Sequence, residues 1–127
     1  MSAPVLLMLA AFSGLVSVVM GAFAAHGLRG KLTASALSAF ETGVQYQMYH
    51  ALALLGVLAL MRSLGTGVLL QGVAWAFVLG TVLFSGSLYA LALGGPRWLG
   101  PVTPLGGLCF IVGWGLLMAV GWRTLRG

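Results

Sequence analysis

The chain has 127 residues, of which 61% are hydrophobic and 6% charged, with a formal net charge of +5. Soluble domains carry about 25% charged residues; six basic side chains and one acidic one cannot clothe a surface that faces water. The basic residues stand singly or in pairs at the ends of apolar runs (Arg29 and Lys31, Arg62, Arg97, Arg123, Arg126), where lipid headgroups would meet them. There is no basic patch with interleaved aromatics, so nucleic acid is excluded as a partner. Cys109 is the one cysteine; it has no disulfide partner and no Cys or His at metal-ligand spacing, and reads as a small core residue.

A helical span takes roughly 20 apolar residues, and four fit the sequence. The first covers residues 4–25. No basic segment precedes it and its apolar run is too long for a signal-peptide core, so it reads as a retained helix, with a cleaved signal as the minor alternative. Ser13, Ser17, Gly21 and Ala25 recur every four residues and form a small-residue stripe for close helix packing. Gly27 and Gly30 end the run. Thr33 or Ser35 caps the next helix, whose first part, Leu32 to Phe40, is a short amphipathic extension at the interface. It continues into the second span, residues 43–61.

Arg62 to Gly67 is a turn. The third span covers 68–93, with Gly72, Ala76 and Gly80 as a second small-residue stripe and Trp75 near an interface. Gly94 to Pro104 holds three prolines and excludes a regular helix through it. The fourth span covers 105–122, with Gly106, Gly113 and Gly121 as close-packing points and Thr103 as a cap before Pro104. Short loops force successive spans to run antiparallel. The fold class is therefore all-α: one integral-membrane domain over 1–127, four transmembrane helices in an up-down bundle. Basic residues balance across the two sides; the basic C-terminus tips the reading toward both termini in the cytoplasm.

The polar residues concentrate between Phe40 and Leu52. At 100° per residue, with Glu41 at zero, Gln45 falls at about 40°, Tyr49 at about 80°, Thr42 at about 100°, Tyr46 at about 140° and His50 at about 180°. Gln47, at about 240°, stands apart. The sequence thus predicts a polar half-cylinder descending about 13 Å from Glu41 to His50 and turned into the bundle. Polar groups in a span suggest function by default, and Glu41 and His50 are candidates to bind a polar ligand or relay protons. The competing and favoured reading is structural: Glu41 paired with Arg29, Lys31 or protonated His26, and the Tyr and Gln groups bonding across helices. Ser85, Ser87 and Tyr89 add hydroxyls to the third span. No second carboxylate is present, which excludes a paired-carboxylate mechanism; nothing in the spacing argues for a Ser-His-Glu triad or a metal site. No catalytic, metal or cofactor residues are assigned.

Several blocks carry a resemblance: Gly21-Ala22-Phe23-Ala24-Ala25-His26-Gly27-Leu28; Phe40-Glu41-Thr42-Gly43 with Gln45-Tyr46 and Tyr49-His50-Ala51-Leu52; Leu83 to Tyr89; and Gly100 to Gly107, closing with Gly113-Trp114. In this order they resemble the DUF423 family (domain of unknown function) of small membrane proteins, over nearly the whole chain. The resemblance implies a multi-pass protein of the bacterial inner (plasma) membrane. The family's activity is not established, so no catalytic residue carries over, but His26, Glu41, Gln45, Tyr46, Tyr49, His50, Ser85, Ser87, Tyr89 and Thr103 become the candidate ligand-binding or polar-network positions. The leading expectation is non-enzymatic binding of a lipid, a small hydrophobic ligand or a membrane-protein partner through the polar face of the second helix. The alternative is a transporter or channel component, which four helices can form only as a homo-oligomer. An enzyme using Glu41 or His50 is disfavoured for want of a second catalytic group.

Overall fold

Pro4 in the first turn, where its missing N–H costs nothing, opens the first of four long helices. The computed structural model describes residues 1–127. Helix α1 (Ala3–Phe23) widens into a π-helical turn, Ala24–Leu28; α2 spans Ala34–Leu64, α3 Val68–Ala92 and α4 Val102–Arg126, with a 3-10 turn at Arg97–Leu99 before α4. All four are long and apolar enough to cross a membrane. The amphipathic extension is the first part of α2 itself. With 31 residues, α2 is about 46 Å long and exceeds the ~30 Å hydrocarbon core.

Local chemistry explains the ends. Thr33 caps α2, its Oγ1 accepting from the Ala36 N–H at 3.1 Å. Gly65, at φ 85°, terminates α2, with its N–H on the Met61 carbonyl. Helix α4 begins three residues before the predicted start, because Pro101 already has helical backbone angles (φ −66°, ψ −18°). Pro104 is then inside the first turn, where no intrahelical N–H is needed. Thr103 consequently is no cap; its hydroxyl turns to Ser87 of α3.

The close helix approaches run α1–α2, α2–α3 and α3–α4. The larger core cluster joins Leu6 and Ala10 of α1, Leu54, Val57 and Met61 of α2, Leu70, Val73, Ala74 and Phe77 of α3, and Phe110 and Val120 of α4. A smaller one, Ala24, Leu28, Phe40 and Ala92, seals the end that bears the π turn. Buried positions recur at Ala10, Ser17 and Ala24, seven residues apart along α1 and into the π turn, so Ala24 faces the bundle and Ala25, which would extend the small stripe, is rotated outward and exposed. The stripe proper packs on α2: Ser17 Oγ donates to the Val44 carbonyl at 2.9 Å, and a Cβ on Gly21 would lie 3.4 Å from Val44.

Glycine decides the α3–α4 contact. Gly106 lies against the backbone of Phe84, and Gly80 and Gly113 lie under the rings of Phe110 and Phe77; a Cβ at either would come within 2.5 Å of ring carbons. Gly72 faces Leu116 and Ala76 faces Gly113 on the same seam. The outer faces carry exposed large apolar side chains, among them Met8, Phe12, Leu15, Ile111, Met118 and Leu125. A lipid-facing surface requires this; in water it would be an aggregation site.

Candidate functional site

The buried residues of α2 include Phe40, Gly43, Gln47, His50, Leu54, Val57 and Met61. Their spacing alternates three and four, the seam by which helices pack at a shallow angle. On the wheel they fill about 160° to 280°. The predicted half-cylinder is therefore rotated relative to expectation. Glu41, Gln45 and Tyr49, centred near 40°, are exposed on the outside of the bundle, whereas Gln47, which the wheel set apart, is 7% exposed. Tyr46 and His50 lie at the boundary and within the core.

Inside, polar groups pair across helices. Tyr89 donates its hydroxyl to Gln47 Oε1 at 2.6 Å, and Ser85 Oγ donates to the Gly43 carbonyl at 2.7 Å. Gly43 permits this approach, since a Cβ there would stand 2.9 Å from the Tyr89 ring. Ser87 Oγ reaches Thr103 Oγ1 and the Phe84 carbonyl. These four residues of α3 and α4 thus bind helices to one another or to their own backbone.

His50 is held on every side. Its ring stacks on Phe110 at 3.6 Å between centroids and 8° between planes, with Phe77 edge-on at 5.0 Å. Trp114 Nε1–H, which can only donate, points at His50 Nε2 at 3.1 Å. Nε2 is therefore the acceptor, and Nδ1 carries the proton and donates to the Tyr46 carbonyl at 2.8 Å. Both nitrogens are satisfied in one neutral tautomer, which leaves no lone pair for a ligand, a metal or a relayed proton. Tyr46 lies beside this group, 4.8 Å from the Phe84 ring.

Outside, the arrangement is the reverse. Glu41 is exposed and makes no ion pair; the expected pairing with Arg29, Lys31 or His26 is not formed, because those residues lie exposed in and after the π turn while Glu41 points away from the bundle. Gln45 and Tyr49 likewise have no hydrogen-bond partner within the protein. No three His, Cys, Asp or Glu side chains gather where they could hold a metal ion. Gln47 and Trp114 were not singled out from the sequence as site residues. The three-four spacing through Gly43 and His50 was the signal for Gln47; for Trp114 it was the Gly113-Trp114 pair that closes the resembling blocks.

Four apolar spans, glycine-mediated helix contacts and polar groups paired across helices define a small multi-pass helical membrane protein. The family model described as protein of unknown function (DUF423) matches residues 20–107, and the chain belongs to that family. It is 44% identical over 117 residues to the UPF0382 membrane protein SSP2132 of Staphylococcus saprophyticus, covering 92% of this chain and 95% of that protein. It is 42% identical to the UPF0382 membrane protein YwdK of Bacillus subtilis (95% and 98% covered) and 42% identical to the UPF0382 inner membrane protein YgdD of Escherichia coli K12 (99% and 95%). No solved structure matches. The chain is accordingly an integral protein of the bacterial inner (plasma) membrane.

Proposed function

We propose that the protein is a non-enzymatic lipid-binding membrane protein whose outward strip on α2 holds the headgroup and glycerol region of an amine-bearing phospholipid. The observation that carries this reading is the strip itself: Glu41, Gln45 and Tyr49, one turn apart on one exposed face, each without a partner inside the protein. Unsatisfied polar groups facing hydrocarbon are costly, so the strip calls for a polar occupant. Glu41 lies about 10 Å along α2 from its start, near headgroup depth, and offers a carboxylate to an ammonium. Arg29 and Lys31, exposed on the same side of the membrane, suit the phosphate. Gln45 and Tyr49, about 6 and 12 Å deeper, suit the ester oxygens and the start of the chains. A second copy fits less well. Two copies in one orientation, related by an axis along the membrane normal, would set Glu41 beside Glu41 at one depth.

The test is native mass spectrometry of the protein released from nanodiscs of equal phosphatidylethanolamine and phosphatidylglycerol. Retained phosphatidylethanolamine, lost with Glu41→Gln and weakened with Gln45→Leu, supports the reading. Retained lipid that mirrors the bulk mixture, or an unchanged pattern in both variants, overturns it.

A further inference from the structure

We infer that a second site lies on the opposite side of α2: a half-open cleft between α1, α2 and α3 that binds an uncharged ring bearing a carbonyl oxygen. The cavity has a volume of about 170 Å³ and is lined by Leu9, Phe12, Ser13, Gln47, Leu54, Val78, Thr81 and Val82. Each of these residues is near the middle of its helix, so the cavity sits within the hydrocarbon zone.

Two of its polar groups are unspent. The Ser13 hydroxyl is buried and has no hydrogen-bond partner. That is exceptional in this protein: Ser17 and Ser85 bond to the neighbouring helix, and Thr42, Thr81 and Thr124 bond back to carbonyls four residues earlier. Gln47 is 7% exposed, and its Oε1 is taken by Tyr89. Its amide N–H groups have no partner in the protein. Buried polar groups are nearly always paired, and each exception calls for an explanation. Here Ser13 carries the buried orphan, the unpaired Gln47 amide N–H groups keep some accessible surface, and both residues line one cleft and can donate.

The lining sets the ligand's chemistry. Donors ask for an acceptor oxygen, while the rest of the wall is Leu, Phe and Val with Thr81, whose hydroxyl is already donated to the Phe77 carbonyl. A charge would find no counter-ion, because no ionisable residue lines the space. An engineered apolar cavity of about 150 Å³ holds a benzene ring, so this one suits a single substituted ring. About five waters would fill it by volume, but a mostly apolar wall gives them too few partners. Phe12 and Val82, 64% and 63% exposed, flank the cavity toward lipid, which allows entry from the bilayer. The larger groove of about 740 Å³ between the ends of α2 and α4 holds no orphaned buried group.

The inference is independent of the lipid strip, since Gln47 and Ser13 face away from Glu41. Duroquinone is the probe and durene, the same ring and methyl groups without oxygens, is the control. Binding is followed by thermal stabilisation of the protein in nanodiscs and by saturation-transfer NMR. Duroquinone is expected to bind saturably and to raise the melting temperature, and durene to bind about tenfold more weakly, the value of one good hydrogen bond. Ser13→Ala, which removes an orphan and leaves the fold intact, should lower duroquinone affinity by a similar factor and leave durene unchanged. Ser13→Leu should fill the space and abolish both. No saturable duroquinone binding, equal affinity for the two probes, or duroquinone affinity unmoved by Ser13→Ala each overturns the inference.

Discussion

Replacing Gly106 by alanine tests the packing argument most sharply. The added Cβ would fall on the backbone of Phe84, 2.7 Å from its Cα and nearer still to its nitrogen. Neither atom can swing away as a side-chain end would, so α3 and α4 must part by about 1 Å to restore ordinary contact. Overpacking costs about 1–3 kcal/mol, and a backbone clash belongs at the upper end. Alanine's better helix propensity returns about 0.5–1 kcal/mol. The net expectation is a destabilisation of about 2 kcal/mol, or roughly thirtyfold in the folded-to-unfolded ratio. Gly115→Ala is the internal control: it is on the same helix with no heavy atom within 4 Å of its Cβ and should gain about 0.5–1 kcal/mol. Both variants can be unfolded reversibly by titrating SDS into mixed micelles, with tryptophan fluorescence as the readout. If Gly106→Ala proves as stable as Gly115→Ala, the α3–α4 contact is not set by glycine and the reasoning fails.

Other expectations are as direct. Trp114→Phe keeps a ring against His50 but removes the only donor to Nε2, and should cost about 1–2 kcal/mol in the same titration. Nitrogen-15 NMR of the wild-type protein labelled at histidine should show His50 neutral with its proton on Nδ1; a proton on Nε2 would contradict the assigned hydrogen bonds. Tyr89→Phe leaves Gln47 with neither end paired and should destabilise by about 1 kcal/mol, near the range of interhelical hydrogen bonds in membranes, whereas Tyr49→Phe, on the outer strip, should leave unfolding unchanged in lipid-free micelles.

The spans were legible because seven charged residues in a hydrophobic chain leave few arrangements, and loop glycines and prolines punctuate it. Of the small residues, Ser17, Gly21, Gly72, Ala76, Gly80, Gly106 and Gly113 lie at helix contacts, whereas Ser13 borders a cleft, Ala25 is exposed and Gly121 has no neighbour within 4 Å of an added Cβ. The direction of the α2 polar face was not legible. In a soluble helix polarity points to water and fixes the rotation; in a span polar groups can face inward or outward, and a wheel gives only their relative angles. Gln47 looked like the outlier because Glu41, Gln45 and Tyr49 outnumbered it. The stronger clue was Gly43, one turn before Gln47 on the same face, because a glycine in a long helix marks where a neighbour comes close. Glu41's lack of an ion pair was equally hidden: nearness in sequence to Arg29 and Lys31 does not survive the π turn and the rotation of α2. The Thr103 cap failed on backbone geometry, since Pro101 starts α4 before Thr103 is reached.

The enclosure of His50 also imposes an order on biogenesis. Its imidazole lies on α2, but the ring that stacks on it and the indole that bonds it are both on α4. While the chain is being made, the first three helices can enter the bilayer with Nε2 of this side chain unpaired, and only arrival of the last helix supplies its donor. An interrupted chain that stops before Val102 would present an imidazole with one open face and an unpaired Nε2, and the uncovered Gly80, to lipid and to the membrane's proteases. Such a fragment is expected to disappear rapidly in a pulse-chase measurement, and replacing its His50 by leucine should prolong its life. Equal lifetimes would mean that the enclosure has no part in how the cell distinguishes a finished molecule from an unfinished one.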